Sequence, residues 1–131
     1  MSKTIAWIED DVEIIGPVIR PLERAGYKII RLRTVEEVFD HIQELQNADL
    51  ILLDMILPHG KYEGEMSRYT GLNIFEELRE KYQVTTPIVA LTVVAREEVR
   101  QKLHEMGVTD IIRKPVRPSE LKERIDQILA D

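Results

Sequence analysis

Apolar residues along the chain fall into two kinds of run. Short ones, Thr4 to Ile8, Tyr27 to Leu32, Asp49 to Asp54, Pro87 to Thr92 and Val108 to Ile112, have the length of strands. Leu50 to Leu53 in particular shows no polar alternation, which predicts a strand buried on both faces, as in the middle of a parallel sheet. Between and after these runs the apolar positions recur three and four apart, the spacing of one helix face. They are Ile14, Ile15, Val18, Ile19 and Leu22; Val35, Val38, Phe39, Ile42 and Leu45; Ile74, Phe75, Leu78 and Tyr82; Val99, Leu103 and Met106; and Leu121, Ile125, Ile128 and Leu129. Gly26 and Gly107 stand where helices should stop, Thr34 and Glu37 form a capping box, and Pro118 suits the first turn of the last helix. Pro17 and Pro21 lie inside the first helical pattern, so that helix is predicted to start late or kink. His59 to Thr70, with its glycines, tyrosines and mixed charges, reads as a long loop.

Strand and helix alternate through the whole chain, which predicts an α/β domain: a doubly wound five-stranded parallel sheet with helices on both faces. At 131 residues it is expected to be a single domain over 1–131, with an extended loop at about 59–70. The 24 acidic residues outweigh the 18 basic ones, for a net charge of -6, which disfavours direct nucleic-acid binding and adhesion to anionic membranes. With no cysteine, disulfide, thiolate–zinc and thiol-nucleophile chemistry drop out together. No apolar run approaches membrane-spanning length, so no membrane insertion and a cytoplasmic location are expected.

The carboxyl ends of the predicted strands carry the chemistry. Glu9 and Asp10 follow the first strand, Asp54 ends the third, Thr92 the fourth, and Lys114 follows the fifth. That edge is where open α/β sheets bind ligands. If the first and third strands are neighbours, Glu9, Asp10 and Asp54 crowd together, and their repulsion raises at least one pKa unless a cation intervenes. An all-oxygen acidic set without histidine or thiolate suits Mg²⁺. Thr92 and Lys114 supply a hydroxyl and an ammonium, the groups that hold a phosphoryl anion beside a metal, and Asp54 becomes the candidate nucleophile. Singly, each has a plainer reading: a helix N-cap for Thr92, a solvated lysine for Lys114, a dipole-complementing acid for Asp11. Their coincidence at successive strand ends is what points to a site. His41, His59 and His104 lack metal-ligand spacing and read as surface residues, and Trp7 as core.

With Glu9-Asp10-Asp11, Asp54 and Pro58 four residues on, Thr92, Gly107 and Lys114-Pro115 in this order, the chain resembles a response-regulator receiver domain from end to end. The resemblance implies the flavodoxin-like sheet order 2-1-3-4-5. It implies phosphoryl transfer from a sensor histidine kinase or histidine phosphotransfer protein onto Asp54, with later autodephosphorylation rather than turnover of an external substrate. Asp10 and Asp54 would bind Mg²⁺ directly, with the Ile56 backbone carbonyl, and Glu9 would help through water. Thr92 and Lys114 would grip the phosphoryl oxygens, and the phosphorylated form would switch contacts with a downstream protein target.

Several positions depart from the family pattern. The family usually places an aromatic residue three positions before the lysine, where this chain has Ile111, and a small residue after Thr92, where it has Val93. Ile56 and Val94, apolar where water-orienting groups would stand, imply a long-lived phosphoryl group. No output domain follows, so a stand-alone or an excised receiver is expected. The alternative reading is a pseudo-receiver, a protein-interaction module that is never phosphorylated. An aspartyl-phosphate phosphohydrolase would need a second aspartate at position 56, and a nucleotide-binding domain a glycine-rich loop after the first strand; both are lacking.

Overall fold

In the computed structural model, which describes residues 2–10, 12–55, 70–92 and 96–130, five strands form one parallel sheet. They are β1 (Thr4–Ile8), β2 (Lys28–Leu32), β3 (Leu50–Asp54), β4 (Ile88–Thr92) and β5 (Asp110–Arg113), in the order β2-β1-β3-β4-β5. The helices are α1 (Val12–Arg24), α2 (Val35–Asp40), α3 (Ile42–Asn47), α4 (Thr70–Glu80), α5 (Glu97–Glu105) and α6 (Pro118–Ile128). The family's sheet order is therefore the one that forms. Among the described residues no helix is long and apolar enough to cross a membrane.

Period-two alternation sorts each central strand between two cores. Ala6, Ile8, Ile51, Leu53, Ile88 and Ala90 pack with the buried residues of α2, α3, α4 and α5. Ile5, Trp7, Leu50, Leu52, Val89 and Leu91 pack with Ile19 and Leu22 of α1 and Leu121 and Ile125 of α6. Because β3 and β4 are covered on both sides, every residue in them is buried, including Asp54 and Thr92 at their ends. Trp7 is in the core, as expected, with its indole N–H left without a hydrogen-bond partner.

Local pattern and tertiary packing disagree in two places. Of the late start or kink predicted for the first helix, the late start does not occur: α1 runs from Val12 through both prolines. Pro17 and Pro21 each remove a helical donor at a cost of about 3 kcal/mol. Complete burial of Ile19 and Leu22 against the sheet and α6 offsets it. The second helical pattern, in contrast, breaks into α2 and α3 at His41 without proline or glycine. The His41 ring nitrogen Nδ1 lies 2.6 Å from the Glu37 carbonyl, the group its own N–H would reach in a continuing α-helix. That N–H goes to Val38 O instead, at 3.1 Å, so the turn tightens and the helix ends. His41 is accordingly half-buried rather than on the surface, whereas His104 is exposed.

The Thr34 half of the capping box forms as predicted, while the return bond of Glu37 goes to the residue before the cap. Thr34 Oγ1 accepts the Glu37 N–H at 3.1 Å, and Glu37 Oε2 accepts the Arg33 N–H at 2.9 Å. Thr34→Ala is expected to destabilise the protein by about 1 kcal/mol through loss of that cap, read as a lower urea midpoint with an unchanged slope.

Candidate functional site

Strand register brings the site residues level with one another. Ile8 pairs with Leu53, and Glu9 N–H, one residue past the strand, still donates to Leu32 O at 3.0 Å. Glu9 is thus held by the sheet directly opposite the end of β3. Asp54 pairs with Leu91 and Thr92 with Arg113, and the Lys114 N–H donates to Thr92 O at 2.8 Å. Four strand ends finish at one edge, and each delivers a predicted residue there. Ile56, Asp11, Val93, Val94 and the 59–69 stretch lie outside the described residues.

Glu9, Asp10 and Asp54 each offer a carboxylate oxygen, and these oxygens lie within 4.8 Å of one another. Glu9 and Asp54 are almost fully buried and Asp10 is half-buried. Lys114 Nζ donates to Glu9 Oε1 and lies 3.7 Å from Asp54 Oδ1. One ammonium therefore serves two buried acids. It is not enough: burial pushes the Glu9 carboxyl from 4.5 up to about 7, the hydrogen bond and charge of Asp54 push the same way, and only Lys114 opposes them. Added positive charge at this cluster would lower that carboxyl again. Three hard oxygen donors, with no nitrogen or sulfur ligand among them, match Mg²⁺ better than a softer metal. The cluster is of the kind receivers use for Mg²⁺.

Thr92 sits one register step beyond Asp54 on the neighbouring strand, 1% exposed, so its hydroxyl belongs to the same edge. Two further features were not singled out in the sequence. Arg33, at the end of β2, lines a shallow depression with Asp10, Thr34 and Glu37. A basic residue immediately after the second strand was the available signal. Gly71, in the first turn of α4, is buried against the end of β3, and its N–H donates to Met55 O at 2.9 Å. A glycine after a polar stretch resembles any turn residue, so sequence alone had no means to weigh it.

Residues 5–126 match the response regulator receiver domain family. The chain is 30% identical over 129 residues to the alkaline phosphatase synthesis transcriptional regulatory protein PhoP of Bacillus subtilis, covering 98% of this chain and 49% of that one. It is 32% identical over 130 residues to the phosphate regulon transcriptional regulatory protein PhoB of Escherichia coli, covering 98% and 52%. The chain thus spans about half the length of the curated relatives it matches. Among solved structures, the BeF3-activated N-terminal receiver domain of Klebsiella pneumoniae RstA superposes with a TM-score of 0.78 at 26% identity, covering 98% of this chain and 100% of that one. With the acidic cluster and the 2-1-3-4-5 sheet already in place, the match over nearly the whole chain leads to one conclusion: this protein belongs to the receiver domain family of two-component response regulators.

Proposed function

We propose that the chain is a phosphoacceptor, a single receiver domain over residues 1–131 with 59–70 as an extended loop. It takes a phosphoryl group from a histidine kinase or phosphotransfer protein onto Asp54. The observation that carries this reading is the convergence of the Glu9, Asp10 and Asp54 oxygens within 4.8 Å, with Lys114 beside two of them. Asp54 is the nucleophile: a carboxylate oxygen forms the new P–O bond as the P–N bond to the donor imidazole breaks, and the departing imidazole takes up a proton. Lys114 and Thr92 bind the phosphoryl oxygens, the first by charge and the second by hydroxyl donation. Asp10 and Asp54, with the Ile56 carbonyl, would hold Mg²⁺, and Glu9 would support it through water. When bound, the ion would supply positive charge against that building on the phosphoryl oxygens. Burial of Asp54 keeps bulk water from competing with the donor. The modified domain then changes its contacts with a downstream protein.

The test is intact mass after incubation with acetyl phosphate and Mg²⁺. One acid-labile phosphoryl adduct per chain is expected, absent when the metal is chelated. An unchanged mass under conditions that preserve the fold would favour the pseudo-receiver instead.

A further inference from the structure

We propose that Gly71 is a positioning residue for Asp54, setting where the acceptor carboxylate stands relative to Glu9, Asp10 and Lys114. The inference rests on the phosphoacceptor reading and deepens it. A Cβ placed on Gly71 would lie 2.4 Å from the Asp54 carbonyl oxygen and 2.6 Å from Met55 Cα, both backbone atoms, and 2.9 Å from Met55 Cε. The methionine tip can swing away; the backbone cannot. To bring the first of these up to ordinary contact at 3.4 Å, the opening turn of α4 and the end of β3 would have to separate by about an ångström. In the same place the Gly71 N–H holds Met55 O at 2.9 Å. One residue therefore grips the chain at Asp54 and Met55 by a hydrogen bond and by contact that no side chain permits.

The grip acts on the reacting group because β3 ends there. Upstream, Leu53 is fixed by pairing with Ile8 and Ala90. Beyond Asp54 the β1–β3 ladder has ended, and the carboxyl-side peptide of Asp54 is braced by α4. Shifting that peptide re-aims the side chain among carboxylate oxygens within 4.8 Å and the Lys114 ammonium at 3.7 Å. Such misplacement costs catalysis more than binding, since bond formation demands alignment that charge attraction does not.

The experiment compares Gly71→Ala with Leu78→Ala, a fully buried residue two turns along the same helix whose truncation destabilises without touching the site. Labelling rates with acetyl phosphate at saturating Mg²⁺ are read at a temperature where circular dichroism shows both variants folded. Gly71→Ala is expected to be slower than wild type by about tenfold or more, and Leu78→Ala to stay within about twofold even if its loss of stability is as large. Equal rates in the two variants would overturn the proposal. Should Gly71→Ala not fold, the wild type decides, labelled with ¹⁵N-glycine and titrated with Mg²⁺ and then beryllofluoride. The Gly71 amide resonance should move while those of Gly26 and Gly107, which precede β2 and β5 at the opposite sheet edge, stay; a stationary Gly71 refutes the coupling. A wild type that takes no label overturns the phosphoacceptor reading and this inference with it. A labelled wild type with an equally fast Gly71→Ala overturns the positioning role alone.

Discussion

Asp54→Asn is expected to abolish phosphoryl incorporation while making the metal-free protein more stable. Loss of incorporation follows from chemistry: a neutral amide is not a nucleophile toward phosphorus, and no other described carboxylate of the cluster combines deep burial at a strand end with Lys114 beside it and Thr92 on the next strand. Glu9 is buried too, but its charge is already committed to Lys114. The gain in stability follows from electrostatics. Asp54 raises the Glu9 pKa both by hydrogen bonding and by charge, so removing its charge relieves a repulsion that the folded state alone suffers. The gain should be on the order of 1 kcal/mol, seen as a higher melting temperature at pH 8 without metal. Intact-mass analysis and thermal melts on the same sample check both halves. Label that survives the substitution would move the acceptor to another residue.

The second large effect is a pH-dependent stability set by Glu9. Its folded pKa of about 7 lies above the unstrained 4.5, so between those values the folded protein holds a proton that the unfolded chain has lost. That contribution is fully present below 4.5 and is lost as pH rises through about 7. The metal-free protein should therefore be less stable at pH 8 than at pH 5.5, other groups aside. The difference between those two pH values corresponds to about 2 kcal/mol, or roughly 8 °C in melting temperature for a chain of this size. Glu9→Gln should flatten the dependence and raise stability at pH 8. Mg²⁺ that binds the native cluster and not the unfolded chain should, at a hundred times its dissociation constant, restore about 2.7 kcal/mol. The restoration should be greater at pH 8, where Glu9 is ionised, than at pH 5.5. Melting curves with and without metal at both pH values are the measurement; superimposable curves would count against a metal site at this edge.

Tertiary packing explains why the two kinds of surprise went in opposite directions. Pro17 and Pro21 are local signals against an early helix start, and they lost because α1 lies on a sheet face that needs Ile19 and Leu22. At His41 the local apolar spacing favoured one long helix. It lost to a ring nitrogen within reach of the Glu37 carbonyl, which no count of apolar positions reveals. The Thr34 cap on Glu37 N–H formed as predicted because both groups lie within one turn, with the Glu37 carboxylate reaching Arg33 N–H one residue further back.

By itself the sequence determined the layered α/β architecture, since unbroken runs such as Leu50 to Leu53 can be satisfied only between two covering layers. It also marked which residues stand at the carboxyl ends of strands, because a strand end is a local feature: Glu9, Asp10, Asp54, Thr92 and Lys114 all stand where their runs stop. The strand order came from family resemblance, and the structure has it. Only the tertiary structure decided how the charges divide. Lys114 hydrogen-bonds Glu9 and stands 3.7 Å from Asp54, an allotment that depends on the register of β1, β3 and β5 together. Only it decided, too, that α4 comes so near β3 that position 71 admits no Cβ. The reason is the same for both: periodicity is written within an element, whereas separations of a few ångströms between elements far apart in the chain are set by how all the layers pack at once.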